Sequence, residues 1–146
     1  MRITNRRASY DYQIHEKFEA GINLTGPEVK AVKLGQVDLA GSHVRIVGSE
    51  TYLINAKIFP YRYAQLENYE ERRTRKLLLH KNEIIALKNK TEGSALTIIP
   101  LSMYTVRGLI KMELALARGK KKFQKKESIK RRDIQRDVER ELGVKS

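Results

Sequence analysis

The chain has 146 residues, with 30 Lys and Arg against 17 Asp and Glu, three His and no Cys, and a formal net charge of +13 at pH 7. The missing thiols exclude disulfides, Cys-ligated zinc and cysteine nucleophiles, and no apolar run approaches the roughly 20 residues a membrane span needs. What remains is material for one compact core with a strong attraction to polyanions, nucleic acid above all.

The first segment, Met1-Arg2-Ile3-Thr4-Asn5-Arg6-Arg7, is basic but lacks the apolar stretch of a secretory signal, so a cytoplasmic protein is expected. Next, Tyr10, Tyr12, Ile14, Phe18 and Ala20 share one parity, with Asp11, Gln13, His15, Lys17 and Glu19 on the other. That alternation predicts a half-buried strand, interrupted only by Glu16. Thr25-Gly26-Pro27-Glu28 predicts a helix start, since Thr25 can cap, Glu28 completes a capping box and Pro27 suits the first turn. The helix is expected to reach about Leu34 and to stop at Gly35. Val44 to Val47, the turn Gly48-Ser49, and Tyr52 to Ile54 predict a hairpin, followed by a strand from Ala56 to Phe59 that Pro60 ends.

Tyr61 to Lys76 shows no period and is long for a loop, which predicts a functional or disordered segment. Leu77 to Leu79 suits a strand, and His80 to Asn89 a short helix with Ile84, Ile85 and Leu87 inward. Leu96 to Tyr104 and Ile110 to Ala117 read as two more strands; in the second, Ile110, Met112, Leu114 and Leu116 oppose Lys111, Glu113, Ala115 and Ala117. Six or so short strands with two or three short helices predict a mainly β, antiparallel barrel of the oligonucleotide-binding type, because closure removes sheet edges.

The expected barrel domain spans 1–117 and a basic tail spans 118–146. The tail holds twelve Lys and Arg against five Asp and Glu, so it carries +7 of the +13. Its apolar positions Ile129, Ile134, Val138 and Leu142 make only a thin stripe. A helix there is expected only when an anionic RNA neutralises cations such as Lys130, Arg131, Arg132, Arg136 and Arg140. Phe123 stands inside the run Lys120-Lys121-Lys122-Phe123-Gln124-Lys125-Lys126, which suits stacking on an unpaired base, a contact worth about 1–3 kcal/mol; the alternative is a ring simply exposed or folded back on the barrel.

Catalytic patterns are weak. His15, His43 and His80 lack metal-ligand spacing, and Gly119-Lys120 lacks the preceding glycine and following hydroxyl of a phosphate loop, so neither metal nor cofactor is expected. Asp11 and Glu19 fall on one predicted strand face, which allows an acid/base pair or, more simply, partners for Lys17 and Lys111. On the residues alone, an RNA-binding protein, a ribosomal or ribosome-assembly protein and a small RNA hydrolase all stay open.

The order Asn5-Arg6-Arg7-Ala8, Asp11-Tyr12, Phe18-Glu19-Ala20-Gly21, Leu24-Thr25-Gly26 and Glu28-Val29-Lys30 closely resembles the SsrA-binding protein (small protein B) family. Arg75-Lys76-Leu77-Leu78-Leu79-His80, Ile99-Pro100-Leu101, Leu114 to Lys121 and Ile129-Lys130-Arg131-Arg132-Asp133 resemble its later blocks, in its order and spacing. The resemblance implies a bacterial partner of tmRNA in trans-translation. An oligonucleotide-binding barrel would grip the tRNA-like domain of tmRNA and bring alanyl-tmRNA to a stalled ribosome. It implies tmRNA contacts at Asn5, Arg6, Glu19, Leu78, His80 and Lys111. It also implies that Gly119, Lys120, Lys121, Phe123, Ile129, Lys130 and Arg131 belong to a tail lying against small-subunit rRNA in the decoding centre and the empty mRNA channel. It implies no catalysis and no membrane partner.

Overall fold

A computed structural model of the chain describes residues 1–64 and 67–120. In chain order these form β1 (Arg2–Thr4), α1 (Ala8–Asp11), β2 (Tyr12–Ile22), α2 (Gly26–Lys33), β3 (Val37–Asp38), β4 (His43–Val47) and β5 (Glu50–Ile54). There follow β6 (Lys57–Ile58), β7 (Arg75–Leu78), α3 (Lys81–Thr91), β8 (Leu96–Val106) and β9 (Leu109–Gly119). The sheet order β1-β8-β4-β5-β7-β2-β9, with β8 also paired to β9, closes six strands into an antiparallel ring. The expected barrel is therefore present, with β1 added to the free edge of β8 and β3–β6 as a separate ribbon.

Inward side chains from around the ring, among them Ala20, Leu53, Leu77, Ile98, Met103, Met112 and Leu114, make one apolar core. Helix α2 adds Ala31 and Val32 to it and α3 adds Leu87. At roughly 1.5–3 kcal/mol for each large side chain buried, this core supplies the main drive to fold. Tight turns close the hairpins where the sequence puts glycine. Gly48 at φ 64° joins β4 to β5, and Arg107-Gly108 at φ 51° and 78° joins β8 to β9.

The alternation from Tyr10 to Ala20 is divided between two faces and two elements. Tyr10 lies in α1, and a bulge leaves His15 unpaired between Ile14↔Ala117 and Glu16↔Leu116. The extra residue turns the strand over. Tyr12 and Ile14 therefore pack outside the barrel with Ala8, Ile99, Ala115 and Ala117, whereas Phe18 and Ala20 face the main core. Glu16, the polar interruption in the pattern, directly follows the bulged residue. Leu101 forms the matching bulge in β8 and joins the same outer cluster. Because Asp11 ends α1, where it is ion-paired with Arg7 at 3.7 Å, it does not share a strand face with Glu19, and the acid/base pair allowed by the alternation is not formed.

Other expectations shift more modestly. Helix α2 begins on the predicted capping box, with Thr25 N–H on Glu28 Oε1 at 2.9 Å and Glu28 N–H on Thr25 Oγ1 at 3.4 Å, and Gly35 terminates it at φ 77°. In α3 Leu87 is buried and Ile84 half-buried, but Ile85 is exposed, so it does not point inward as expected. The strand expected from Ala56 to Phe59 narrows to Lys57–Ile58, and the aperiodic stretch before β7 is tied down at its later end. There, Ile58 N–H donates to Glu71 O at 2.9 Å and Tyr69 Oη to Ile58 O at 2.9 Å. Below them lies a buried ion cluster. Arg75, fully buried, donates from Nε to Glu28 Oε2 at 2.6 Å, from Nη1 to Ala56 O at 2.8 Å and from Nη2 to Glu71 O at 3.0 Å. Arg73 Nη2 reaches Glu28 Oε1 at 2.5 Å.

Candidate nucleic-acid interface

Strands β2, β5, β7 and β9 and the start of α3 enclose an open groove of about 780 Å³. Four residues assigned by resemblance, Glu19, Leu78, His80 and Lys111, line it together. Gly21, on the outward parity of β2, pairs with both Leu78 and Lys111. A Cβ at Gly21 would stand 3.2 Å from Leu78 Cβ, so the missing side chain lets β2 and β7 approach closely beside the groove. Leu78 is 53% exposed there, an apolar side chain offered to solvent between polar neighbours. His80 is the N-cap of α3, and its backbone N–H donates to Glu83 at 3.1 Å. That bond fixes the corner at which β7 passes into the helix. The positive end of the α3 dipole consequently opens towards the groove, which favours an anion.

Glu19 has an unusual setting. It pairs in register with Glu113, and like charges directly opposite on a sheet are destabilising. The Tyr104 hydroxyl donates to Glu19 Oε2, and the Arg2 guanidinium lies 4.5 Å over the Tyr104 ring. Arg2 Nη1 also donates to Ser102 Oγ at 2.9 Å. Burial, the hydrogen bond to Glu19 and the charges of Glu19 and Glu113 push the Tyr104 phenol up to about 12, against the opposing pull of Arg2. Tyr104 therefore remains a neutral donor at physiological pH, and Glu19 is held as an oriented acceptor. The Lys111 side chain, opposite Tyr104 in β9, makes no hydrogen bond or ion pair with any described residue and presents a cation beside that acceptor. On the far rim, Glu50 is held between the Tyr52 hydroxyl and Lys76 Nζ, the latter at 3.2 Å, and these bonds lower its carboxyl below the ordinary value. Tyr104, Arg2, Glu50 and Lys76 escaped the sequence reading. Alternation about the inward Met103 places Ser102 and Tyr104 outward, and was the available signal.

The remaining assigned residues are dispersed. Asn5 donates from Nδ2 to Pro100 O at 2.9 Å and from its backbone N–H to Leu101 O at 2.7 Å, so it pins β8 at its bulge. Arg6 is exposed beside a second concavity formed with Arg2, Arg7 and Asp38. Gly119 ends β9 opposite Tyr12, and Lys120 is anchored to α1 by its N–H on Asp11 O at 2.8 Å and its Nζ on Ser9 O at 2.6 Å. Lys121, Phe123, Ile129, Lys130 and Arg131 lie outside the described residues, as does the helix expected around them. Among the described residues no group of His, Asp or Glu has the makings of a metal site, and no helix is long and apolar enough to cross a membrane.

The arrangement of an oriented carboxylate, a neighbouring amine, an exposed leucine and a helix N-terminus suits structured RNA, whose ribose and base edges offer donors beside phosphate. The SmpB family model, described as SmpB protein, matches residues 2–144. The chain is 50% identical over 139 residues to the SsrA-binding protein of Trichormus variabilis, covering 94% of this chain and 90% of that one. It is 42% identical over 138 residues to the SsrA-binding protein of Fusobacterium nucleatum, covering 94% and 93%. A solved structure described as "tmRNA-SmpB: a journey to the center of the bacterial ribosome" aligns with a TM-score of 0.69 at 48% identity, over 83% of this chain and 85% of that one.

Proposed function

Because this chain belongs to the SmpB protein family, we infer that it binds the tRNA-like domain of tmRNA and delivers alanyl-tmRNA to stalled ribosomes for trans-translation. The observation that supports the contact surface is the convergence of Glu19, Leu78, His80 and Lys111 on one groove from three strands and a helix cap. Glu19, oriented by Tyr104, accepts from base or ribose donors, Lys111 holds phosphate, and Leu78 and His80 pack against an unpaired base. Asn5 and Arg6 extend this surface along the β1 side, Asn5 through its carbonyl oxygen and Arg6 as a phosphate contact.

Residues 118–146 form the ribosome-facing part in this reading. Gly119 and Lys120 set where the chain leaves the barrel, and Lys121, Phe123, Ile129, Lys130 and Arg131 meet small-subunit rRNA in the decoding centre and the empty mRNA channel. The protein acts as an RNA partner in the cytoplasm rather than as a catalyst. Sequencing the RNA that copurifies with the tagged protein tests this assignment. Enrichment of tmRNA over other stable RNAs is expected. Recovery of ribosomal RNA alone, in proportion to subunits, would instead favour a ribosomal protein.

A further inference from the structure

Away from the groove, the segment after β6 carries three aromatic rings at alternate positions, Phe59, Tyr61 and Tyr63, and each has a cation beside its ring. Lys57 Nζ lies 4.5 Å from the Phe59 centroid, Lys30 Nζ 5.5 Å from Tyr61 and the Arg62 guanidinium 5.5 Å from Tyr63. Tyr61 and Tyr63 also meet edge to face at 5.5 Å and 66°. Tyr61 is half-buried and packs against the core, so it anchors the cluster, while Tyr63 is 73% and Phe59 38% exposed.

The segment is held in shape. Pro60 fixes one backbone angle, Ala64 N–H closes a turn on Tyr61 O at 3.0 Å, and Phe59 N–H is bonded to Gln36 O at 3.0 Å. From Phe59 to Ala64 there is no acidic residue, and among the described residues these cations have one ion pair with a carboxylate, Lys57 Nζ with Glu71 at 3.4 Å. Exposed rings interleaved with cations suit one ligand chemistry in particular. Unpaired bases stack on the free ring faces, and the backbone phosphates meet the ammonium and guanidinium groups. A duplex hides its base faces and gains only the charge contacts. A proline-rich peptide would use the rings but not the cations.

We propose that Phe59, Tyr61 and Tyr63, with Lys30, Lys57 and Arg62, form a second RNA-binding site that takes an unpaired stretch of RNA. The site is separate from the groove and stands whether or not the groove binds tmRNA. A single-stranded oligouridine carrying 4-thiouridine, irradiated with the full chain and mapped by mass spectrometry, tests it. Adducts are expected on Tyr61 or Tyr63. Tyr63→Ala, which removes a ring that is already mostly exposed, should raise the half-saturation for adducts on Tyr61 about fivefold or more with an unchanged circular dichroism spectrum. Glu19→Ala with Lys111→Ala should leave these adducts in place. Adducts confined to residues 118–146, or equal competition by an RNA duplex or by an oligoproline peptide, would overturn the proposal.

Discussion

Single side chains in this barrel hold positions that the surrounding chemistry makes unequal. Glu28 is the clearest case, because one carboxylate completes a helix cap and pairs with two arginines. Burial pushes its carboxyl up, but bonds from Arg73, the Thr25 amide and Arg75, together with the Arg75 charge, outweigh this and hold it below the ordinary 4.5. A carboxyl depressed on folding contributes stability above its unfolded value, and that stability is lost as pH falls through the folded one. The Glu28 contribution should therefore be complete at neutral pH and fade below about pH 4.5. Glu28→Ala leaves Arg75 charged and buried without its partner, and should cost about 3–5 kcal/mol in urea unfolding at pH 7. A smaller penalty for the variant near pH 3 completes the test. Tyr104→Phe has a different expected signature. It frees the Glu19 carboxylate without opening the core, so stability should change by about 1 kcal/mol or less while affinity for the tRNA-like domain falls severalfold in a filter-binding titration. Asn5→Ala mixes the two effects, since its amide also holds Pro100.

Element by element, the features legible in the sequence were those with local physical causes. The α2 capping box, the Gly48-Ser49 turn and the alternation of β9 each depend on neighbours within a few residues, and each stands where expected. The features that escaped are set by distant partners. Strand β1 exists because β8 offers it an edge, α1 because Ala8 fits beside Ile99 and Ala117, and the His15 bulge because Tyr12 and Ile14 find a second apolar cluster outside the barrel. The site divided in the same way. The outward parity of β2 and β9 displayed Glu19 and Lys111, but nothing local announced that Tyr104 reaches Glu19 across 85 residues of sequence. At the C-terminal end, β9 continues through Arg118 and Gly119, and Lys120 is bonded to α1, so a cut after Ala117 would remove paired strand. A chain ending at Lys120 should keep the native circular dichroism spectrum and still bind tmRNA, more weakly at low salt. It should fail to tag nascent chains on stalled ribosomes. Normal tagging by that truncated chain would contradict the proposed division of labour.

As a whole molecule the protein combines a largely apolar interior, crossed by the Glu28–Arg75 ion pair, with a charge of +13, and the charge alone attracts any polyanion. What the barrel adds, in the proposed reading, is discrimination. Closing six strands brings residues more than 90 positions apart, Glu19 and Lys111, to the same rim, and the helix cap at His80 sets the other wall. General basicity would survive the loss of one cation and one carboxylate, whereas a shaped site would not. The direct measurement is the dissociation constant for the isolated tRNA-like domain of tmRNA, at physiological salt, of the unaltered chain and of Glu19→Ala with Lys111→Ala. A loss of about tenfold or more is predicted, with an unchanged circular dichroism spectrum and undiminished binding to an unrelated RNA duplex. Equal affinity of the two proteins for the tRNA-like domain would contradict the assignment of tmRNA recognition to this groove.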